Sequence, residues 1–230
     1  MLRSDQILAT VEMIQKENLD VRTVTMGINL LDCRASSIGQ TCRNIEDRIS
    51  DKAGKFVETC NLVSRKLGIP VVNKRISITP ISLVGAGFRR DDFVALARAL
   101  DRAAAGVGVD ILGGFSAQVE KGMTQTDQEY VHSLPEALRV SETVCASINI
   151  ASSQKGINMD ALALLGPTIK EIAEQTADQG GFGAAKFVVS ATSPATTRLW
   201  PEPSMVLQRR IRCLMSVFPV PGLSPVPGKN

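Results

Sequence analysis

The densest chemistry in the chain is the run Asn73-Lys74-Arg75, followed four residues later by Thr79-Pro80. A guanidinium presents a planar fork of N–H donors that matches a carboxylate or phosphate, and an ammonium adds a compact charge beside it. Lys74 and Arg75 therefore read as binders of a small anion, although an ion pair within the fold accounts for Arg75 equally well. Gly113-Gly114-Phe115-Ser116 with Lys121 brings bare backbone, a hydroxyl and a cation to one strand end. Glycine lets a ligand approach the main chain, and a packing kink would use it too. The spacing is neither that of a P-loop nor G-x-G-x-x-G. Asn158 follows Lys155-Gly156-Ile157 at the start of a helical stretch, where free backbone N–H groups favour an anion; a plain capped helix start is the alternative.

The thiols are the other candidates. Cys33, next to Asp32 at the end of a strand pattern, could supply a nucleophile, but a buried cysteine serving as a small hydrophobe is commoner. Cys145 alternates with Ser147 and Asn149, so Asn149 joins the residues that could touch a ligand. Cys42 and Cys60 fall on a helical apolar stripe and belong to the core. Five cysteines, an odd number without a C-x-x-C pair, give no disulfide framework or metal spacing. One histidine, His132, argues against a histidine-based zinc site or a Ser-His-Asp triad. The sequence points to no metal and identifies no cofactor.

The elements that must position these residues alternate in period. Residues 4–17 are expected to be helical, with Ile7, Leu8, Val11 and Ile14 on one face. Residues 21–30 read as a strand in which Val24, Met26, Ile28 and Leu30 alternate with Thr23, Thr25, Gly27 and Asn29. One long helix is expected over 37–67, stopped by Gly68 and Pro70. A strand over 71–79 sets Val72, Ile76 and Ile78 against Asn73, Arg75, Ser77 and Thr79. Asp91 can cap the next helix, which Gly106 and Gly108 end. Strands at 110–119 (interrupted by Gly113-Gly114), 144–150 and from 186 onward alternate with helices at 124–140, with Pro135 at a turn or helix start, and at 158–176. Regular strand–helix alternation implies right-handed βαβ units and a mainly parallel sheet.

A parallel sheet covered by helices on both faces is built from nearly continuous Val, Ile and Leu. Three strands here carry Thr, Asn, Ser or Arg at every second position. Helices can then cover only one face, and the other is expected to be polar and wet, as in the lumen of a wide α/β barrel. An edge strand or a hydrogen-bonded core threonine would explain one such strand, less easily three.

The 230 residues are 44% hydrophobic and 21% charged, enough for a real core. No apolar run reaches the roughly 18 residues of a membrane span, and the N-terminus turns polar at once, unlike a signal peptide. A cytoplasmic protein is expected. The formal charge of +3 is unevenly placed: residues 190–230 hold 5 of the 26 basic side chains against one acid, Glu202, and 7 of the 11 prolines. Two domains are therefore expected, an α/β unit over 1–189 and an irregular Pro-rich tail over 190–230 that its prolines keep from adding strands. Reading suitable codons of the tail one nucleotide earlier turns W-P-E-P-S-M-V (200–206) into M-A-G-A-F-H-G, a string typical of folded protein. Out-of-frame translation after about Val189 is the expectation this raises, against a disordered extension or a basic interaction arm.

The strings T-V-T-M-G-I-N-L-L-D-C (23–33), G-I-P-V-V-N-K-R-I-S-I-T-P-I-S-L-V-G-A (68–86), G-V-D-I-L-G-G-F-S-A-Q-V-E-K-G (108–122) and G-I-N-M-D-A (156–161) resemble the uncharacterised family called domain of unknown function 711, also uncharacterised protein family 0210. The resemblance covers residues 1–189. It implies the fold of the glycyl-radical superfamily, the ten-stranded α/β barrel of pyruvate formate-lyase, of which five βα units would be one half. It implies no activity, and the family lacks an evident glycyl-radical signature.

Two functions follow as expectations. The intact family protein is an enzyme acting on a small anionic metabolite held in the lumen by Lys74, Arg75, Ser116, Lys121, Asn149 and Asn158, with Cys33 as a weak candidate for reactivity. Alternatively it is a non-catalytic metabolite-binding or regulatory protein using the same contacts. Basic and acidic residues are interleaved through 1–189, so no nucleic-acid footprint emerges and no membrane partner is expected; homo-oligomerisation stays open. A half-barrel with an uncovered edge would itself have little activity.

Overall fold

The computed structural model describes residues 19–68, 71–191 and 212–219. The helix expected over 4–17 and most of the tail lie outside the described residues. Strand β1 (Leu19–Ile28) is followed by helices α1 (Ile38–Ala53) and α2 (Phe56–Leu67), β2 (Asn73–Ile78), the single turn α3 (Ile81–Val84), α4 (Arg90–Val107) and β3 (Ile111–Gln118). Then come α5 (Gln125–Arg139), β4 (Val144–Ser152), β5 (Gly156–Ile157), α6 (Met159–Gln175), the short α7 (Phe182–Ala185), β6 (Phe187–Ala191) and β7 (Arg212–Pro219).

Local chemistry sets most boundaries. The Ser37 hydroxyl accepts from Gln40 N at 3.3 Å at the start of α1, and Gly68 ends α2 with φ of 68°. Thr124 and Asp127 form a reciprocal cap on α5: the hydroxyl accepts from Asp127 N and the carboxylate from Thr124 N. Four expectations need correction. The long helix over 37–67 breaks at Gly54-Lys55, because Lys55 takes φ −105°, ψ 3°, outside helical geometry. Asp92, not Asp91, caps α4, its carboxylate accepting from Arg89 N at 3.0 Å. Pro135 lies inside α5, whose buried Tyr130, Leu134 and Leu138 hold the helix through the missing donor. Residues 212–219, expected to be irregular, pair antiparallel with β1 as β7. The stretch between Pro203 and Pro219 keeps every backbone donor, so prolines do not prevent that ladder.

The strands β1, β2, β3, β4 and β6 pair in parallel, each beside its predecessor, with β7 on the far side of β1 and β5 pairing with β4. Strands added one after another by right-handed crossovers collect their helices on one face. The packing agrees. Phe115 of β3 lies with its ring 5.3 Å from that of Tyr130 on α5, and Tyr130 meets Phe93 of α4 edge-to-face at 5.8 Å and 79°. Ile28, Ile76, Ile78, Leu112, Ala117 and Ile148 join the same buried cluster. Tyr130, fully buried, donates its hydroxyl to the Phe115 carbonyl at 2.7 Å with the Ser147 carbonyl at 3.2 Å, so one phenol pins β3 to β4.

The Gly113-Gly114 interruption is a bulge. Leu112 pairs with Val144 and Phe115 with Ala146, so β3 spends one extra residue there. Gly114 has φ of 104°, and a Cβ on it would lie 2.4 Å from the Ile78 carbonyl oxygen; only glycine lets β3 pass so close to β2. No helix among the described residues is long and apolar enough to cross a membrane.

Candidate functional site

In-register residues of parallel strands face the same way, so the register assembles the face opposite the helices. Across β1 and β2, Thr23, Thr25 and Gly27 pair with Asn73, Arg75 and Ser77; across β2 and β3, Arg75 and Ser77 pair with Ile111 and Gly113. Beyond the bulge, Ser116 pairs with Ser147 and Gln118 with Asn149, which in turn pairs with Ser190. The alternation read from sequence thus becomes one mainly polar face, interrupted by Ile111 beside Arg75 and by Val188 beside Ser147. It is less wet than expected: Thr23, Thr25, Ser77 and Ser116 are buried, while Asn73, Arg75, Cys145, Ser147 and Asn149 are half-buried.

The expected site residues fall into four places. Ser116, Asn149, Lys121 and Asn158 gather at the C-terminal ends of β3 and β4. Asn149 Nδ2 reaches the Glu120 carboxylate at 3.5 Å, Ser116 Oγ donates to the Gly114 carbonyl at 3.3 Å, and Lys121 is exposed in the following turn. Asn158 is occupied by structure, its amide oxygen accepting from Ala161 N at 3.1 Å and its nitrogen donating to the Val119 carbonyl at 2.7 Å. Arg75 lies on the same polar face, roughly 13 Å further down the strands by the rise per residue. Lys74 pairs with Val24 and takes the opposite face from Arg75. Adjacency in sequence separates this pair in a strand, because side chains alternate.

Cys33 sits in a one-turn 3-10 helix after β1 and is buried. Burial pushes its thiol pKa up, opposed by the Arg48 charge, which is the wrong direction for a nucleophile. Cys145, on the polar face opposite the bulge, lies near the Lys186 and Arg75 cations, yet burial still raises its pKa. Lys186 is buried beneath the end of α5, donating to the Leu138 and Ser141 carbonyls, and desolvation lowers its pKa. His132 is exposed on α5, and Cys42 and Cys60 are buried in α1 and α2 as their spacing predicts. Among the described residues no three His, Cys, Asp or Glu side chains group to hold a metal ion.

Two features were not found from sequence. Arg34 donates to the Ala86 carbonyl at 2.6 Å and lines a cavity of about 580 Å³ with Ser36, Gly87 and Phe88, in the loops after β1 and α3. The Ser77 hydroxyl is buried without a hydrogen-bond partner among the described residues, between glycines on both neighbouring strands. Its signal, a polar-phase serine, was present; the flanking glycines are visible only once the register is known.

Comparison with known proteins places the chain among relatives without a described activity. The sequence profile of the family described as Uncharacterised ACR (DUF711) matches residues 12–203. A UPF0210 protein of Desulforudis audaxviator is 52% identical over 194 residues, covering 84% of this chain and 43% of the relative. UPF0210 proteins of Corynebacterium glutamicum and Bifidobacterium adolescentis are 51% and 48% identical, over 81% and 84% of this chain and 40% and 43% of their own length. The chain spans less than half the length of these curated relatives.

Proposed function

The chain belongs to the DUF711 (UPF0210) family, and we propose that the polar face of its sheet binds a small anionic metabolite on which the longer family protein acts as an enzyme, without radical chemistry. The observation that carries this reading is the half-buried Arg75 on a mainly polar face, with Ser116, Asn149 and Lys121 at its upper end. A buried or half-buried guanidinium beside hydroxyls and amides favours a carboxylate or phosphate over a neutral ligand. Non-catalytic metabolite binding is the second reading, favoured by the Cys33 and Cys145 thiols, both held protonated by burial. Thermal-shift screening of this chain against carboxylates and phosphates tests the binding, with Arg75→Ala expected to abolish the shift. Turnover assays of the hits on a longer relative then separate enzyme from binder. A screen without hits, or hits indifferent to Arg75→Ala, rejects both.

The same reading takes the fold as half of a ten-stranded, pyruvate-formate-lyase-like barrel with the polar face as its lumen. Sequential strand order and a one-sided helix layer support it. It also takes residues 190–230 as out-of-frame translation, supported by the proline and charge break, although the family match continues to residue 203. Coding DNA read across codon 189 tests that part: an intact frame with codons incompatible with M-A-G-A-F-H-G ends it.

A further inference from the structure

Ser77 stands in an unusual place for a buried serine. Its residue is 2% exposed and its hydroxyl has no hydrogen-bond partner among the described residues, whereas the hydroxyls of Thr79, Tyr130, Ser133 and Ser141, also buried, each bond to the protein. A buried polar atom left unpaired is destabilising, so such an atom calls for a reason. Its neighbours supply one. In the same register row Gly27 lies to one side on β1 and Gly113 to the other on β3. Across these three strands the row carries a single side chain, that of Ser77, which is buried between two half-buried glycines. Gly113 has no steric need to be glycine: a Cβ there would meet only the Ile76 carbonyl oxygen, at 3.9 Å, and its φ is not positive. That contrasts with Gly114 beside it, which the backbone requires. Arg75 is one alternation below Ser77 on the same strand and face, and Cys145 lies across the bulge within reach of the Arg75 charge.

Resting on the proposed anion binding, we infer that the row Gly27–Ser77–Gly113 is the floor of the binding site, and that its ligand is a small, flat carboxylate carrying a second hydrogen-bonding oxygen. Arg75 takes the carboxylate, the bare glycine strips let the flat body lie against the sheet, and Ser77 Oγ bonds the second oxygen. The chemistry selects hydroxy- or oxygen-substituted acids over plain ones, because a ligand lacking that oxygen leaves the serine unpaired.

The test uses this chain and four probes: acetate, glycolate, 3-hydroxybutyrate and inorganic phosphate, with affinities from titration calorimetry. One of the two hydroxy acids is expected to bind about tenfold tighter than acetate. Ser77→Ala is expected to erase that preference while raising the melting temperature of the ligand-free protein, since it removes an unpaired buried hydroxyl. Gly113→Ala, which has room to fold, is expected to weaken binding of the carboxylates with little change in melting. A purely structural Ser77 would show the reverse, a lower melting temperature in Ser77→Ala with the hydroxy-acid preference intact, and that result overturns the inference. Carboxylate binding that needs Arg75 but ignores Ser77→Ala and Gly113→Ala also overturns it while leaving the anion-binding reading standing. Phosphate binding alone overturns the ligand class, and silence from all four probes rejects both readings.

Discussion

Gly114→Ala puts the sheet geometry under the most direct stress. At φ of 104° an alanine is strained, at about 2 kcal/mol, within the range for non-glycine residues held in unfavourable backbone regions. Its Cβ would also lie 2.4 Å from the Ile78 carbonyl oxygen, 2.7 Å from Ile78 Cγ1 and 2.9 Å from Ile78 N, so β2 and β3 must separate. Forcing extra volume into a packed site costs about 2 kcal/mol more. Against this, alanine loses less backbone entropy on folding, a gain of roughly 1 kcal/mol. The net loss is about 3 kcal/mol. With a urea slope of about 2 kcal/mol per molar, the unfolding midpoint falls by about 1.5 M. Gly113→Ala, one residue away, serves as the control: its Cβ has space and its φ is ordinary, so its midpoint should move by no more than about 0.3 M. The assay is urea unfolding followed by far-ultraviolet circular dichroism. Equal midpoints for the two variants, or a Gly114→Ala protein as stable as its parent, would refute the bulge argument.

Other tests address the packing, a cap and the titrating groups. Tyr130→Phe leaves the Phe115 and Ser147 carbonyls without their buried donor and should cost about 1–3 kcal/mol in urea unfolding; no loss would mean the phenol does not tie β3 to β4. Thr124→Ala removes the reciprocal cap of α5 and should cost about 1 kcal/mol, with Thr124→Ser recovering most of it; failure of serine to recover stability would speak against the hydroxyl as the cap. Burial raises the Cys33, Cys42 and Cys145 thiols above their usual 9.0 and the Tyr130 phenol well above 10.0. The unfolded chain therefore ionises first, and the stability these groups contribute is complete below about pH 9 and is lost as pH rises through their folded values. Lys186, lowered from 10.5 by burial, acts the other way, shedding its proton first in the folded state, so its share of stability grows with pH. Four groups against one predict a net fall in the urea midpoint between pH 8.5 and 10.5, and a net rise would contradict the burial of the thiols.

What the sequence determined by itself is the succession of elements and the two phases of each strand. Val24, Ile28, Ile76 and Ile148 could be assigned to the helix side, and Thr25, Arg75, Ser77 and Asn149 to the other, because a period of two needs only neighbouring residues to be read. The stops at Gly68 and Gly108 were legible for the same local reason: a left-handed terminal residue favours glycine. Tertiary structure alone decided which rows line up. That Gly27, Ser77 and Gly113 share one row depends on inter-strand register, which is fixed by contacts tens of residues apart in sequence and by the extra residue at Gly113-Gly114. Lys74 shows the same limit from the other side: it belongs beside Arg75 in the sequence, and the strand pleat turns it onto the opposite face. The break at Gly54-Lys55 and the pairing of β7 with β1 were likewise settled outside the local pattern, one by a backbone angle that the apolar spacing does not encode, the other by the free edge that β1 offers. Local periodicity reports which side a residue faces; only the packed chain reports what stands next to it.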